Sequence, residues 1–120
     1  MSKAKPVVLE GGACSARTAL ADRQLLSFVE AVKVTALFKV LANDTRIRML
    51  HHLIRGESSV TELAKALGMR SQAVSNQLQR LSDTGVVTSR REGNNVFYRV
   101  TNECVAPLLD LALCLMEDER

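Results

Sequence analysis

The sequence predicts a mainly α-helical winged helix-turn-helix domain, in which a small β-hairpin, the wing, precedes the last helix. Two short helical patterns, one from Ser59 to Gly68 and one that begins near Ser71 and is ended by Gly85, are joined by a tight turn at Gly68-Met69-Arg70. Two β-rich runs then flank Gly93-Asn94-Asn95, and Gly and Asn tolerate the positive φ of a hairpin tip. The predicted order of elements is ααααββα.

The chain ahead of the helix-turn-helix predicts two further helical regions. From about residue 17 to residue 41 there are few helix breakers, and apolar residues recur there at the spacing of one helix face: Val34, Leu37, Phe38 and Leu41. This pattern predicts one long helix or two in tandem. Asn43 is a candidate N-cap for the next helix, which Gly56 ends.

Local signals also place the remaining helix boundaries. Ser59 and Glu62 have the spacing of a capping box, and Gly68 follows the short helix that they open. The last helix is predicted to end near Met116. Its start lies nearer Val105 than Asn102, because Pro107 fits best in a first helical turn.

Length and composition predict a single domain at 17–120, preceded by a flexible arm at 1–16 that carries Cys14. With 120 residues and 47% hydrophobic content, the chain can bury only a modest core, so a dimer interface would add burial. The three widely spaced cysteines do not form the paired framework of a small secreted domain, which favours reduced thiols in the cytoplasm. The apolar run 7–9 is too short for a signal peptide, and no membrane partner is expected.

The helix that follows the tight turn at 68–70 has the composition of a helix that reads DNA bases. A helix in the major groove needs short polar side chains that hydrogen-bond to base edges. Here an apolar side opposes a polar side that carries Ser71, Gln72, Ser75, Asn76 and Gln79. Arg90 and Arg91 in the wing are predicted to contact phosphates or a minor groove, with ordinary surface charge as the alternative. The expected partner is double-stranded DNA.

Two segments carry a resemblance to a known family. The run 37–46, Leu-Phe-Lys-Val-Leu-Ala-Asn-Asp-Thr-Arg, and the run 93–100, Gly-Asn-Asn-Val-Phe-Tyr-Arg-Val, closely resemble the ArsR/SmtB family of bacterial repressors. The resemblance implies a homodimer that binds an inverted-repeat operator and releases it when an inducer is sensed. It is strong over about half of the chain.

The candidate inducer ligands are Cys14, Cys104 and Cys114. Cys104 and Cys114 are ten residues apart, roughly 15 Å along a helix, so they cannot share an ion within one subunit. The resemblance implies antiparallel packing of the last helices in a dimer, which would bring Cys104 of one subunit near Cys114 of the other. Cys14 could then supply a third sulfur. The alternative for Cys114 is simple packing among leucines.

Thiolate ligands favour thiophilic ions. One zinc-binding pattern of the family has histidines where this chain has Cys104 and Leu115. Mercury(II) ranks first because the chain resembles the mercury-responsive members of the family, with arsenic(III) next and cadmium also open. A thiol-redox or persulfide response is a further alternative. An enzyme is not expected, because no glycine-rich loop accompanies Cys104 and the histidines.

Overall fold

The computed structural model describes residues 19–117, which form five helices and a three-stranded antiparallel sheet, and it confirms the predicted winged helix-turn-helix class. A 3-10 turn, Leu20–Asp22, precedes the first helix. The predicted arm 1–16 lies outside the described residues. The elements in chain order are α1 Phe28–Leu41, α2 Asp44–Arg55, β1 Ser58–Ser59, α3 Val60–Leu67, α4 Ser71–Asp83, β2 Val87–Glu92, β3 Asn95–Val100 and α5 Val105–Glu117.

The first helix begins later than its apolar pattern predicted. Ser27 has extended backbone angles and forms a capping box with Glu30, whose backbone N–H donates to Ser27 Oγ at 3.0 Å. The Ser27 N–H in turn donates to Glu30 Oε1 at 2.8 Å. The prediction of helix from about residue 17 is therefore wrong for the described residues before Phe28, apart from the 3-10 turn.

The other helix ends follow the local signals. Asn43 Oδ1 accepts a hydrogen bond from the Arg46 N–H at 3.0 Å, and Ser59 and Glu62 form the predicted capping box at the start of α3. Gly68 ends α3 in the left-handed region with φ 67°, which a residue with a Cβ rarely adopts. These caps fix the start of α2 and both ends of α3, the first helix of the helix-turn-helix.

The sheet contains one strand more than the predicted hairpin. β1 pairs with β3 through Ser58 opposite Tyr98 and Ser59 opposite Phe97, which gives the strand order β1-β3-β2. A strand of two residues has no periodicity to detect, and its partner lies far away in sequence, so the pattern missed it. At the tip of the wing, Gly93 has φ 64°, as the predicted turn requires.

The core lies between α2, α3, α4 and the sheet. Its fully buried side chains are Met49, Leu50, Leu63, Val74, Leu78, Leu81 and Val87. The helices α1 and α5 contribute little to this core and expose large apolar side chains, among them Phe28, Val29 and Phe38 on α1 and Leu113, Leu115 and Met116 on α5. Between residues 19 and 117, no helix has the length and apolarity needed to cross a membrane.

Candidate DNA interface and thiol site

The helix α4 presents a polar face to solvent because its apolar face is locked into the core. Val74, Leu78 and Leu81 have 0% exposure. On the other side the predicted base-reading residues Ser71, Gln72, Asn76 and Gln79 are exposed, and Ser75 is half-buried. Core packing therefore orients the five predicted residues together along one helix side.

Two side-chain hydrogen bonds order this polar face. Gln72 Nε2 donates to Asn76 Oδ1 at 3.0 Å, one helical turn further on. Gln79 Nε2 donates to Asp83 Oδ1, also at 3.0 Å. Each amide retains a free hydrogen-bonding group, because a Gln or Asn side chain carries two donors and one acceptor oxygen. Gln and Asn are the side chains that can bond adenine in the major groove through a donor and an acceptor together.

In the wing, Arg90 is held by neighbouring side chains. Its Nε donates to Glu57 Oε2 at 2.9 Å and its Nη2 to Glu57 Oε1 at 2.8 Å. Nη1 lies 3.3 Å from Glu92 Oε1, and the guanidinium carbon lies 4.8 Å from the centre of the Phe97 ring. These contacts raise the pKa of Arg90, and hydrogen bonding from Arg90 lowers the pKa of Glu57.

The register of the sheet separates the two wing arginines. Arg90 is opposite Phe97, which is also opposite Ser59, so these three side chains lie on one face of the sheet. Arg91 is opposite Val96 and alternates onto the face that carries buried Val87. Arg91 is exposed near the hairpin tip, on the side of the sheet that packs against the helices. The structure thus gives the two predicted phosphate ligands different surroundings.

Arg46, which the sequence patterns did not single out, contacts the inner side of α4. Its Nε donates to Gln77 Oε1 at 2.6 Å, and its Nη1 donates to the Val40 carbonyl at 2.8 Å. A hint lay in its position, since a cation in the first turn of a helix is opposed by the positive helix end. Both of these hydrogen bonds of the guanidinium go to other helices, α4 and α1.

The predicted thiol ligands Cys104 and Cys114 differ in burial and in bonding state. Cys104 immediately precedes α5, is half-buried, and takes part in a disulfide, while its carbonyl accepts from the Leu108 N–H at 3.0 Å. Cys114 is an exposed free thiol in the middle of α5. It lines an open hollow with Asp110, Leu113 and Glu117. Cys14 lies outside the described residues.

Within one subunit, residues 19–117 contain no group of three His, Cys, Asp or Glu side chains placed to hold a metal ion. Of the two histidines, His51 is exposed, and His52 Nδ1 lies 3.2 Å from Ser58 Oγ next to β1. A three-thiolate site would therefore have to use the arm, a second subunit, or both.

The fold and the polar face of α4 define a class: winged helix-turn-helix proteins that bind DNA and regulate transcription. Residues 41–90 match a family described as a helix-turn-helix domain. AntR, an antimony-specific transcriptional repressor with a known crystal structure, is 54% identical in sequence to this chain. The match covers 88% of this chain and 96% of the AntR chain in that structure, with a TM-score of 0.74.

Two further relatives define the family. The homodimeric winged helix-turn-helix domain Mb0332 of Mycobacterium bovis, a possible ArsR-family regulator, is 35% identical, with 78% of this chain and 89% of that domain covered and a TM-score of 0.69. A probable mercury resistance operon repressor of Streptomyces lividans is 38% identical over 68% of this chain and 65% of its own length. The chain belongs to the ArsR/SmtB family of transcriptional regulators.

Proposed function

We propose that this protein is a homodimeric transcriptional repressor that binds an inverted-repeat operator and releases it when a thiophilic ion binds to cysteine thiolates. The observation that carries the DNA-binding half is the exposed polar face of α4 beside a basic wing. The identity of 54% to an antimony-specific repressor supports the ion-sensing half, since the chain carries three cysteines outside the helix-turn-helix.

The exposed apolar faces of α1 and α5 support the dimer. Phe28 is 83% exposed and Leu115 is 78% exposed within the subunit. Exposed groups of large apolar side chains usually mark an interface. A second copy of the chain, related by a twofold axis, would cover both helices and present one α4 helix to each half of an inverted repeat.

For the inducer, antimony(III) now ranks ahead of mercury(II). The antimony-specific relative is more similar and covers more of the chain than the probable mercury resistance operon repressor does. Both ions favour soft thiolate ligands, so the donor set of Cys14, Cys104 and Cys114 fits either one. Mercury(II) and arsenic(III) remain the alternatives that the same experiment compares, and cadmium is tested with them.

The disulfide at Cys104 favours a second candidate, a repressor of the same operator that responds to oxidants or persulfides. In that case two thiols lose two protons and two electrons to the oxidant as the sulfur–sulfur bond forms. The two candidates differ in what releases DNA from fully reduced protein: an ion alone or an oxidant alone.

The test measures operator binding by fluorescence anisotropy, with an operator duplex selected from a random library by the reduced, ion-free protein. Stoichiometric antimonyl tartrate, mercury(II) chloride, arsenite and cadmium chloride are added under argon, with zinc chloride as the matched control ion. We expect antimony(III) to weaken binding by about 5- to 150-fold, the usual range of allosteric coupling. Unchanged affinity with every thiophilic ion would overturn ion sensing.

Cysteine variants then locate the response. Cys104→Ser and Cys114→Ser should each abolish release by antimony(III) while ion-free operator affinity stays at the wild-type level. Cys14→Ser tests whether the arm supplies the third sulfur. Release by hydrogen peroxide, without release by any ion, would instead support the redox candidate.

A further inference from the structure

The helix α1 is joined to the rest of the subunit mainly at its last turn. Leu41 is 6% exposed and Val40 is half-buried, whereas the helix before them is exposed throughout. Apolar side chains such as Val29 and Phe38 lie open to solvent. The position of α1 relative to the core therefore depends on very few contacts within the subunit.

Arg46 supplies a directional contact at that junction. The carbonyl of Val40 belongs to the last turn of α1, where carbonyl groups have no partner within the helix and the helix end is negative. Arg46 Nη1 donates to this carbonyl at 2.8 Å. Because Arg46 stands in the first turn of α2, its positive charge is disfavoured by its own helix and favoured by the end of α1.

The same guanidinium reaches the DNA-reading helix. Arg46 Nε donates to Gln77 Oε1 at 2.6 Å, across 31 residues of sequence. The remaining anchors of α4 are apolar side chains, which resist separation but have no preferred direction. Among residues 19–117, the Arg46–Gln77 contact is the one side-chain hydrogen bond found between α4 and another helix.

We propose that Arg46 couples the position of α1 to the orientation of α4. A displacement at the end of α1 then changes how the polar face of α4 contacts DNA. The guanidinium is rigid and planar, and it holds the two elements through separate nitrogens. Arg46 is a positioning residue that acts through Gln77. This role rests on the proposed DNA-binding function but not on the identity of the inducer.

Coupling is reciprocal, so operator binding at α4 must also change the stability of the end of α1. The test measures amide hydrogen exchange by mass spectrometry over residues 34–42, in ion-free protein with and without the selected operator duplex. In wild-type protein we expect operator binding to slow exchange there at least about threefold. In Arg46→Met that change should be lost, although exchange over residues 71–83 still slows because DNA is bound.

Arg48→Met is the matched control, because Arg48 is an exposed arginine on the same helix. It should retain the wild-type response at residues 34–42. Gln77→Met cuts the same connection at α4 and leaves the Arg46 bond to Val40 in place, so it serves if Arg46→Met does not fold. It should lose the response as well.

A wild-type protein without any change at residues 34–42, or an Arg46→Met and Gln77→Met response equal to wild type, would overturn the coupling. The measurement uses no metal, so failure of ion sensing leaves its result intact. Absence of operator protection over residues 71–83 in wild-type protein would instead overturn both the DNA-binding proposal and the coupling that rests on it.

Discussion

The carboxylate of Glu57 accepts two hydrogen bonds from the guanidinium of Arg90, at 2.9 and 2.8 Å, across 33 residues of sequence. Glu57 lies between α2 and β1, where the chain enters the helix-turn-helix, while Arg90 lies in β2 of the wing. The side chain of Arg90 reaches its partner across the ring of Phe97. This contact ties the wing to the segment that leads into α3.

The two wing arginines should therefore differ in their effect on DNA binding. Arg91→Ala should weaken operator binding and reduce the slope of log Kd against log salt concentration by about 1, as loss of one phosphate contact does. Arg90→Ala should change the slope less, because Glu57 already neutralises that guanidinium. Anisotropy titrations at several salt concentrations give both slopes, and equal losses would show that Arg90 also contacts phosphate.

The ion pair should also respond to pH. Hydrogen bonding from Arg90 holds the pKa of Glu57 below its ordinary value. A carboxylate with a lowered pKa in the folded state stabilises that state above its unfolded pKa, and the contribution is lost as pH falls through the folded value. NMR titration of the Glu57 carboxyl carbon should give a lower midpoint in wild-type protein than in Arg90→Met. Coinciding midpoints would contradict the pairing.

Substitutions on the two sides of α4 should affect different properties: stability on the buried side and DNA binding on the exposed side. Leu78 is fully buried, so Leu78→Ala should lower the free energy of unfolding by about 2–5 kcal/mol. Gln72 is exposed, so Gln72→Ala should leave stability within about 0.5 kcal/mol of wild type. It should weaken operator binding by about 1–3 kcal/mol if it reads a base. Urea unfolding and anisotropy measure the two effects.

The capping box of α3 should contribute measurably to stability. Ser59 Oγ accepts from the Glu62 N–H at 3.1 Å, and Ser59→Ala removes that acceptor. We expect a loss of about 1 kcal/mol in the free energy of unfolding. Thr61→Ala, at an exposed position in the same helix, is the matched control and should stay within about 0.5 kcal/mol. Both are measured at one protein concentration, because dimerisation shifts apparent stability.

The exposed face of α5 should be required for the dimer. Leu115→Glu should weaken self-association, since a symmetric interface loses two buried leucines at about 1.5–3 kcal/mol each. Leu20→Glu is the control, because Leu20 is 71% exposed but lies outside both apolar helices. Sedimentation over a concentration series gives the dissociation constants. A Leu115→Glu dimer as tight as wild type would show that α5 is not part of the interface.

Patterns and interactions among residues close in sequence determined most of the secondary structure. Helical periodicity gave the order of the helices, and short-range capping signals placed Asn43, Ser59 and Gly68 at helix ends. The same periodicity separated the buried and polar sides of α4. These features depend on residues within a few positions of one another, so they can be predicted without knowledge of the tertiary contacts.

Only the tertiary structure decided what joins the elements. The pairing of β1 with β3, the contact of Arg90 with Glu57 and the contact of Arg46 with Gln77 all connect distant parts of the sequence. The open face of α1 is a similar case: its apolar pattern predicted an amphipathic helix, and the structure shows that this face is exposed within the subunit. Such contacts depend on how the core packs its helices against the sheet, and that packing brings together side chains whose sequence neighbours give no sign of the pairing.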